Sequence, residues 1–290
     1  MKKNNIQEIE EKLKKGEKMV AMLAPSFAAE FNYPSIIFKL KKLGFDNVVE
    51  LTFGAKMINR EYHKQLKNTK KLLISSACPG VVLFVKNEFP QYKKSLILVD
   101  SPMTAMGKIC RRYYPKHKIV FISPCHNKKI EAENSKNVDY VIDYIQLREL
   151  FEKHRIKGPL LFSKEKIQFD KFYNDYTKIF PVSGGLSKTA HLKGVIKHEQ
   201  CKVIDGIKEI QKFLKNPDKN IKFLDALFCV GGCIGGPCTN QKISVEKKRK
   251  KVLNYLKKAK EEDIPENRKG LIKKANGINF CENTLISSKN

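Results

Sequence analysis

Thiols set among glycines mark the part of this chain best suited to chemistry. The stretch Phe228-Cys-Val-Gly-Gly-Cys-Ile-Gly-Gly-Pro-Cys238 places Cys229 and Cys233 four residues apart, with Gly231, Gly232, Gly235 and Gly236 around Cys233. Glycine removes side-chain bulk where something larger than a single ion must approach the backbone. Two solitary cysteines lie upstream, Cys78 in Ser75-Ser-Ala-Cys-Pro-Gly80 and Cys125 in Ile122-Ser-Pro-Cys-His-Asn-Lys-Lys129, each beside a proline. Thiolates are soft ligands for iron–sulfur clusters, zinc and copper(I). Structural zinc usually takes close pairs of cysteines, whereas here the successive gaps are 46, 103 and 3 residues. A cluster with several corners accepts such scattered ligands, because each loop need reach only one iron. Cys110, Cys201 and Cys281 read as isolated structural thiols that need no metal.

The segments that would position these thiols alternate between strand and helix. A charged helix is expected over 5–17, a strand over 19–24, a helix over 26–43, a strand over 48–51 and a helix over 53–66. Strands over 71–75, 118–123 and 222–228 would deliver Cys78, Cys125 and Cys229 from their carboxyl ends, and a further strand is expected over 140–143. The neighbouring prolines stop the first two of these strands and free the thiols to face a ligand. The pattern predicts an α/β fold of two lobes, with mixed or parallel sheets flanked by helices. A ligand would sit beyond the strand ends in the cleft between the lobes. One domain over 1–290 is expected, with a lobe boundary near Gly158-Pro159, giving lobes 1–157 and 158–290. A basic helical segment over 245–290 would close it, its helix 245–262 packing through Val252, Tyr255, Leu256 and Ala259.

Charge and composition narrow the partners. The 290 residues include 57 basic and 30 acidic ones, a formal charge of +27. This charge attracts anionic partners over a screening length of about 8 Å at physiological salt. The lysines spread over the whole length, and no nucleic-acid-binding signature accompanies them. Eight cysteines are far fewer than the roughly 8–10% of a disulfide scaffold. The opening Met1-Lys-Lys-Asn-Asn-Ile-Gln-Glu8 has no apolar signal core, so a reducing, cytoplasmic setting is expected. The apolar runs 81–85 and 96–99 fall far short of the ~20 residues that cross a bilayer. Neither a nucleic acid nor a membrane is expected as a partner.

Three segments then resemble, in order, the signature motifs of the catalytic domain of FeFe hydrogenases: Ser75-Ser-Ala-Cys-Pro-Gly-Val81, Ser123-Pro-Cys-His-Asn-Lys-Lys-Ile-Glu131 and Asp225-Ala-Leu-Phe-Cys-Val-Gly-Gly-Cys-Ile-Gly-Gly236. Ala24-Pro-Ser26, Asp100-Ser-Pro-Met-Thr-Ala-Met-Gly-Lys108 and Phe180-Pro-Val-Ser-Gly-Gly-Leu186 are also similar to that family, over roughly residues 18–262. The resemblance implies that Cys78, Cys125, Cys229 and Cys233 bind the 4Fe–4S cubane of an H-cluster. It implies that Cys233 bridges the cubane to a two-iron unit bearing CO, cyanide and a dithiolate. Lys128 matches the lysine that contacts a cyanide, against the plainer reading of an exposed lysine in a basic helix. Pro124, Ser183, Gly184 and Gly185 would pack against the two-iron unit. By the same resemblance, Lys128 and Cys233 are the residues closest to the chemistry.

Two departures from the family pattern shape the functional expectation. Ala77 stands where active members usually carry a second cysteine that relays protons, and a methyl group moves no proton, so slow turnover is expected. Val81 replaces the usual tryptophan, and Ser123 and Leu227 stand where methionine is common, as in the sensory branches of the family. Family members also commonly carry ferredoxin-like modules with dense cysteine runs, and none is found in this sequence. The resemblance therefore implies a minimal hydrogenase of anaerobic hydrogen metabolism, fed by a docked acidic carrier such as ferredoxin and completed by H-cluster maturation proteins. The alternatives are a hydrogen sensor of low activity and a non-catalytic 4Fe–4S protein like the cluster-assembly relatives of this fold.

Overall fold

The computed structural model describes residues 5–67, 69–159 and 167–287. In chain order the first half comprises α1 (Asn5–Lys14), β1 (Met19–Leu23), α2 (Ser35–Leu43), β2 (Asn47–Glu50), α3 (Thr52–Leu66), β3 (Leu73–Ile74), α4 (Pro79–Glu88), α5 (Pro102–Tyr113), β4 (Lys118–Ser123), α6 (Asn127–Glu133), β5 (Tyr140–Asp143) and α7 (Tyr144–Lys153). The second half adds α8 (Gly185–Thr189), β6 (Cys201–Asp205), α9 (Ile207–Lys215), β7 (Phe223–Leu227), α10 (Val245–Glu261) and α11 (Thr284–Ser287).

Every residue of β1 is buried, and so is all of β4 after Lys118. Strands covered on both faces belong to parallel sheets flanked by helices. The strands form two such sheets, in the orders β2-β1-β4-β5 and β3-β7-β6, with parallel pairing throughout. Val20 lies opposite Ile119 in the first sheet and Leu73 opposite Phe223 in the second. The α/β architecture expected from the sequence is therefore present, and the sheets are parallel rather than mixed.

Several local expectations need correction. The single helix expected over 26–43 is a short 3-10 turn, Pro25–Ala29, followed by α2. Pro34 separates them, because it lacks an N–H and biases Tyr33 away from helical geometry. The strand expected over 71–75 contracts to the two residues of β3. β6 carries no clear period-two signal, since Lys202 and Val203 are exposed at the sheet edge. The expected boundary at Gly158 does not divide the sheets, because the second sheet takes β3 from well before that position. The chain from 160 to 166 lies outside the described residues.

Along α10, Val252, Tyr255 and Ala259 are buried as expected, and Leu256 is half-buried. Tyr255 also carries a polar link to the first sheet. Its hydroxyl donates to Glu50 at 2.9 Å, while the buried Lys178 donates to Glu50 at 2.5 Å and to Tyr255 at 2.7 Å. A charge pair this deep is tolerated because each partner satisfies the other. It ties the carboxyl end of β2 to the helix packed over it. Among the described residues, no helix is long and apolar enough to cross a membrane.

Candidate metal centre

Both sheets release chain toward one cavity. Its lining includes Ala24 beyond β1, Leu51 beyond β2, Pro124 and Cys125 beyond β4, Ala77 and Cys78 beyond β3, and Cys233 beyond β7. The thiol loops are held there by local chemistry. Cys78 is the N-cap of α4, where Pro79 occupies a position that needs no N–H and a fixed φ. Gly231 and Gly232 take φ of 79° and 75°, a left-handed pair that side chains rarely adopt. Their turn is pinned when Gly231 N–H donates to Asp205 at 2.9 Å and Cys233 N–H donates to the Pro181 carbonyl at 2.8 Å.

Gly80 shows how tightly the three loops meet. A Cβ added there would lie 2.8 Å from Asn127 Nδ2 and 2.8 Å from the Phe228 ring. The first loop thus touches both others, and only a residue without a side chain fits between them. Gly236 similarly leaves room for the Pro124 carbonyl, 2.9 Å from where a Cβ would stand.

The electrostatics mark the thiols as one group. Burial pushes Cys125 up to about 11, with the Cys78 sulfur adding to the effect. Burial pushes Cys229 up to about 12, reinforced by Cys78 and Cys125. Cys233 lies well above the ordinary thiol range, first from burial and then from the sulfurs of Cys78, Cys125 and Cys229, with Lys128 opposing. Cys78, Cys125 and Cys233 line the mainly apolar cavity, whereas Cys229 lies outside that lining but near enough to act on Cys233. Buried thiols raised like Cys125, Cys229 and Cys233 need a cationic thiophilic group to become thiolates. An iron–sulfur group fits this donor set and the glycine-walled approach.

Lys128 is buried rather than exposed on a basic helix, and it lines the cavity. Its ammonium donates to Glu131 at 2.6 Å and to Ser101 at 2.9 Å. Glu131 in turn accepts from the hydroxyls of Ser101 and of Thr104, the latter at 2.9 Å. Two of the three N–H donors of Lys128 are thus engaged among the described residues, leaving one for a ligand. Glu131 stands three residues from Lys128 on α6, a spacing visible in the sequence but given no role there.

The remaining expected residues separate. Pro124 lines the cavity, but Ser183, Gly184 and Gly185 do not. Gly184 faces Val203, and Gly185 is packed against the Ile179 carbonyl and the Phe180 backbone. Phe180 and Pro181 form that part of the wall instead. Ser26 also lines the cavity, its hydroxyl 2.6 Å from that of Tyr144. No sequence spacing signals that pair, whose members are 118 residues apart. Cys110 is buried in the core and Cys201 half-buried on β6, while Cys281 is exposed and donates to Glu61 at 3.3 Å, so burial does not explain that last thiol. A larger cavity of about 600 Å³ lies elsewhere, walled by Lys56, Arg60 and His63 among others, without a thiol. Donor chemistry therefore singles out the thiol cavity, whereas size does not.

Comparison with known proteins agrees with this geometry. The family model for the iron only hydrogenase large subunit, C-terminal domain, matches residues 17–237. Iron hydrogenase 1 of Clostridium pasteurianum is 26% identical over 275 residues, covering 74% of this chain and 48% of that protein. The cytosolic Fe-S cluster assembly factor NAR1 of Encephalitozoon cuniculi is 22% identical over 229 residues, covering 72% of this chain and 63% of that protein. The chain thus spans about half the length of the hydrogenase relative and under two thirds of the assembly factor. A solved structure of FeFe-hydrogenase HydA1 from Chlamydomonas reinhardtii has the same fold, with a TM-score of 0.66 at 16% identity over 92% of this chain and 90% of that one.

Proposed function

The chain belongs to the family of the iron only hydrogenase large subunit, C-terminal domain, and from that premise we propose that it interconverts protons, electrons and H2 at an H-cluster bound in the thiol cavity. The observation that carries this reading is the meeting of the thiol loops with a buried lysine around one mainly apolar cavity. Cys78, Cys125, Cys229 and Cys233 would hold the 4Fe–4S cubane, with Cys233 also bridging to the two-iron unit. When bound, the cofactor supplies electron storage and an open iron at which H2 is made or split.

The chain's own residues set the conditions for that chemistry. Glu131 and Ser101 hold Lys128 at the cavity wall, where its remaining N–H serves an anionic ligand. Phe180, Pro181 and Pro124 keep bulk water away. Ala77 carries no exchangeable proton, so proton transfer falls to Ser26, Ser123 or an entering water. A surface of +27 formal charge suits an acidic electron carrier such as ferredoxin, and maturation proteins would install the two-iron unit.

Ala77 favours a second reading, in which the same cofactor turns over slowly and reports hydrogen. The assembly-factor relatives favour a third, a protein that holds a cubane alone. Infrared spectroscopy of the chain, after loading with iron, sulfide and a synthetic two-iron precursor, separates these readings when paired with hydrogen evolution from a reduced dye. Sharp CO and cyanide bands together with evolved H2 support the hydrogenase. The bands with only trace turnover support the sensor, and a cluster without the bands supports the third reading.

A further inference from the structure

Beside the thiol cavity, three ligating groups of different softness meet that the proposed reaction does not use. His126 follows Cys125 at the start of α6, Asp143 caps α7, and Cys238 lies five residues beyond Cys233. The His126 ring presents Nε2 at 3.3 Å and Nδ1 at 3.6 Å from Cys238 Sγ, and its Nδ1 lies 3.9 Å from Asp143 Oδ2. One ligand atom from each residue falls within 4.8 Å of the other two. With Zn–S near 2.3 Å and Zn–N or Zn–O near 2.0–2.1 Å, a tetrahedral ion holds its ligand atoms roughly 3.3–3.6 Å apart. Taken through Nδ1, at 3.6 Å from Cys238 Sγ and 3.9 Å from Asp143 Oδ2, the imidazole reaches that spacing with a side-chain adjustment well under an ångström, and Cys238 and Asp143, within 4.8 Å of each other, close by at most about 1.3 Å.

We propose that His126, Asp143 and Cys238 form a second metal site, distinct from the four-thiol centre, that takes a zinc-class divalent cation with a water as fourth ligand. The donor set of one sulfur, one imidazole and one carboxylate is that of a zinc site with an open position. On binding, the Cys238 S–H bond breaks, a metal–sulfur bond forms and the proton leaves to solvent, with no change of oxidation state. Burial pushes the free Cys238 thiol up to about 12, with Asp143 adding to the effect, so that proton is in place before the ion arrives.

Asp143 is already oriented for the role. Its Oδ1 accepts the N–H groups of Ile145 and Gln146 at 3.1 and 3.0 Å, which leaves Oδ2 directed at the imidazole. Lys129 donates to that same Oδ2 at 2.8 Å and to Gln146 Oε1 at 3.1 Å. A cation thus already sits where the ion would bind, and its side chain, about a third exposed, is free to withdraw onto Gln146. His126 is 59% exposed and offers the way in, whereas Cys238 is fully buried and closes the inner side.

The test is equilibrium dialysis of the cluster-loaded chain against buffered free zinc, with zinc and iron both counted per chain and the zinc environment read by X-ray absorption at the zinc edge. The expected result is one zinc per chain with a single sulfur near 2.3 Å and lighter ligands near 2.0 Å. Cys238→Ser weakens uptake by more than the roughly tenfold that even an outer-shell partner is worth. Asp143→Asn weakens it likewise while keeping a good helix cap, and Lys129→Gln tightens it by removing the competing cation. Iron content serves as the check that each variant folds. No saturable uptake, zinc surrounded by four sulfurs, or affinity unmoved by Cys238→Ser and Asp143→Asn in iron-retaining protein overturns the site.

Discussion

At position 77 a methyl group faces the cavity beside Cys78. A positioned acid or base contributes about a hundredfold or more to proton transfer, so Ala77→Cys is expected to raise dye-driven H2 evolution by at least about tenfold. An unchanged rate would mean that Ser26 or water already carries the proton. The thiols give a second expectation. Cys125 and Cys229 are raised from an ordinary value of 9.0 to about 11 and about 12. Between those values the unfolded chain has lost the proton that the folded, cluster-free chain still holds, so stability falls as pH rises from 9.0 upward. Thermal melting of the cluster-free chain should therefore drop above pH 9.0 more steeply than that of Cys229→Ala, and parallel curves would contradict the burial assigned to these sulfurs. That Cys78, Cys125 and Cys233 would meet at one cavity was legible because cysteine beside proline or glycine is unusual and chemically specific. Ser183, Gly184 and Gly185, expected to pack against the two-iron unit, are not in the lining of the thiol cavity, since a glycine turn announces tight packing without saying against what. Here the neighbours are Val203 and the Ile179–Phe180 backbone.

Among the elements, α4 depends on a glycine in its first turn. Gly80→Ala would force a methyl to 2.8 Å from both Asn127 and the Phe228 ring. It should spread the three loops and lower iron content after reconstitution, with secondary structure retained by circular dichroism; full iron loading would contradict the contact. The strands that carry Cys125 and Cys229 could be read from the sequence because parallel strands buried on both faces are largely apolar runs, broken in β7 only by the buried Asp225. β6 escaped because an edge strand with exposed Lys202 and Val203 has neither an apolar run nor alternation. The helix expected over 26–43 failed because apolar periodicity continued through a segment whose backbone Pro34 interrupts. The clamp of Ser101 and Thr104 on Glu131 joins α5 to α6, a distance in sequence that no local pattern spans.

For the whole molecule, two parallel sheets direct strand ends into one cavity, and the chain as a whole carries a formal charge of +27. If electrons come from an acidic carrier, the attraction weakens as the screening length falls from about 10 Å at 0.1 M salt to about 3 Å at 1 M. Ferredoxin-driven turnover should fall several-fold over that range while turnover with a small neutral dye stays nearly constant, and equal salt responses would exclude electrostatic docking. The account as a whole depends on four sulfurs binding one group, so the direct measurement is iron bound per chain after anaerobic reconstitution with iron and sulfide alone. The expected result is about four irons per chain, sharply reduced in each of Cys78→Ser, Cys125→Ser, Cys229→Ser and Cys233→Ser and unchanged in Cys110→Ser. Full iron in any two of those four variants, or none in the parent chain, would contradict the shared centre.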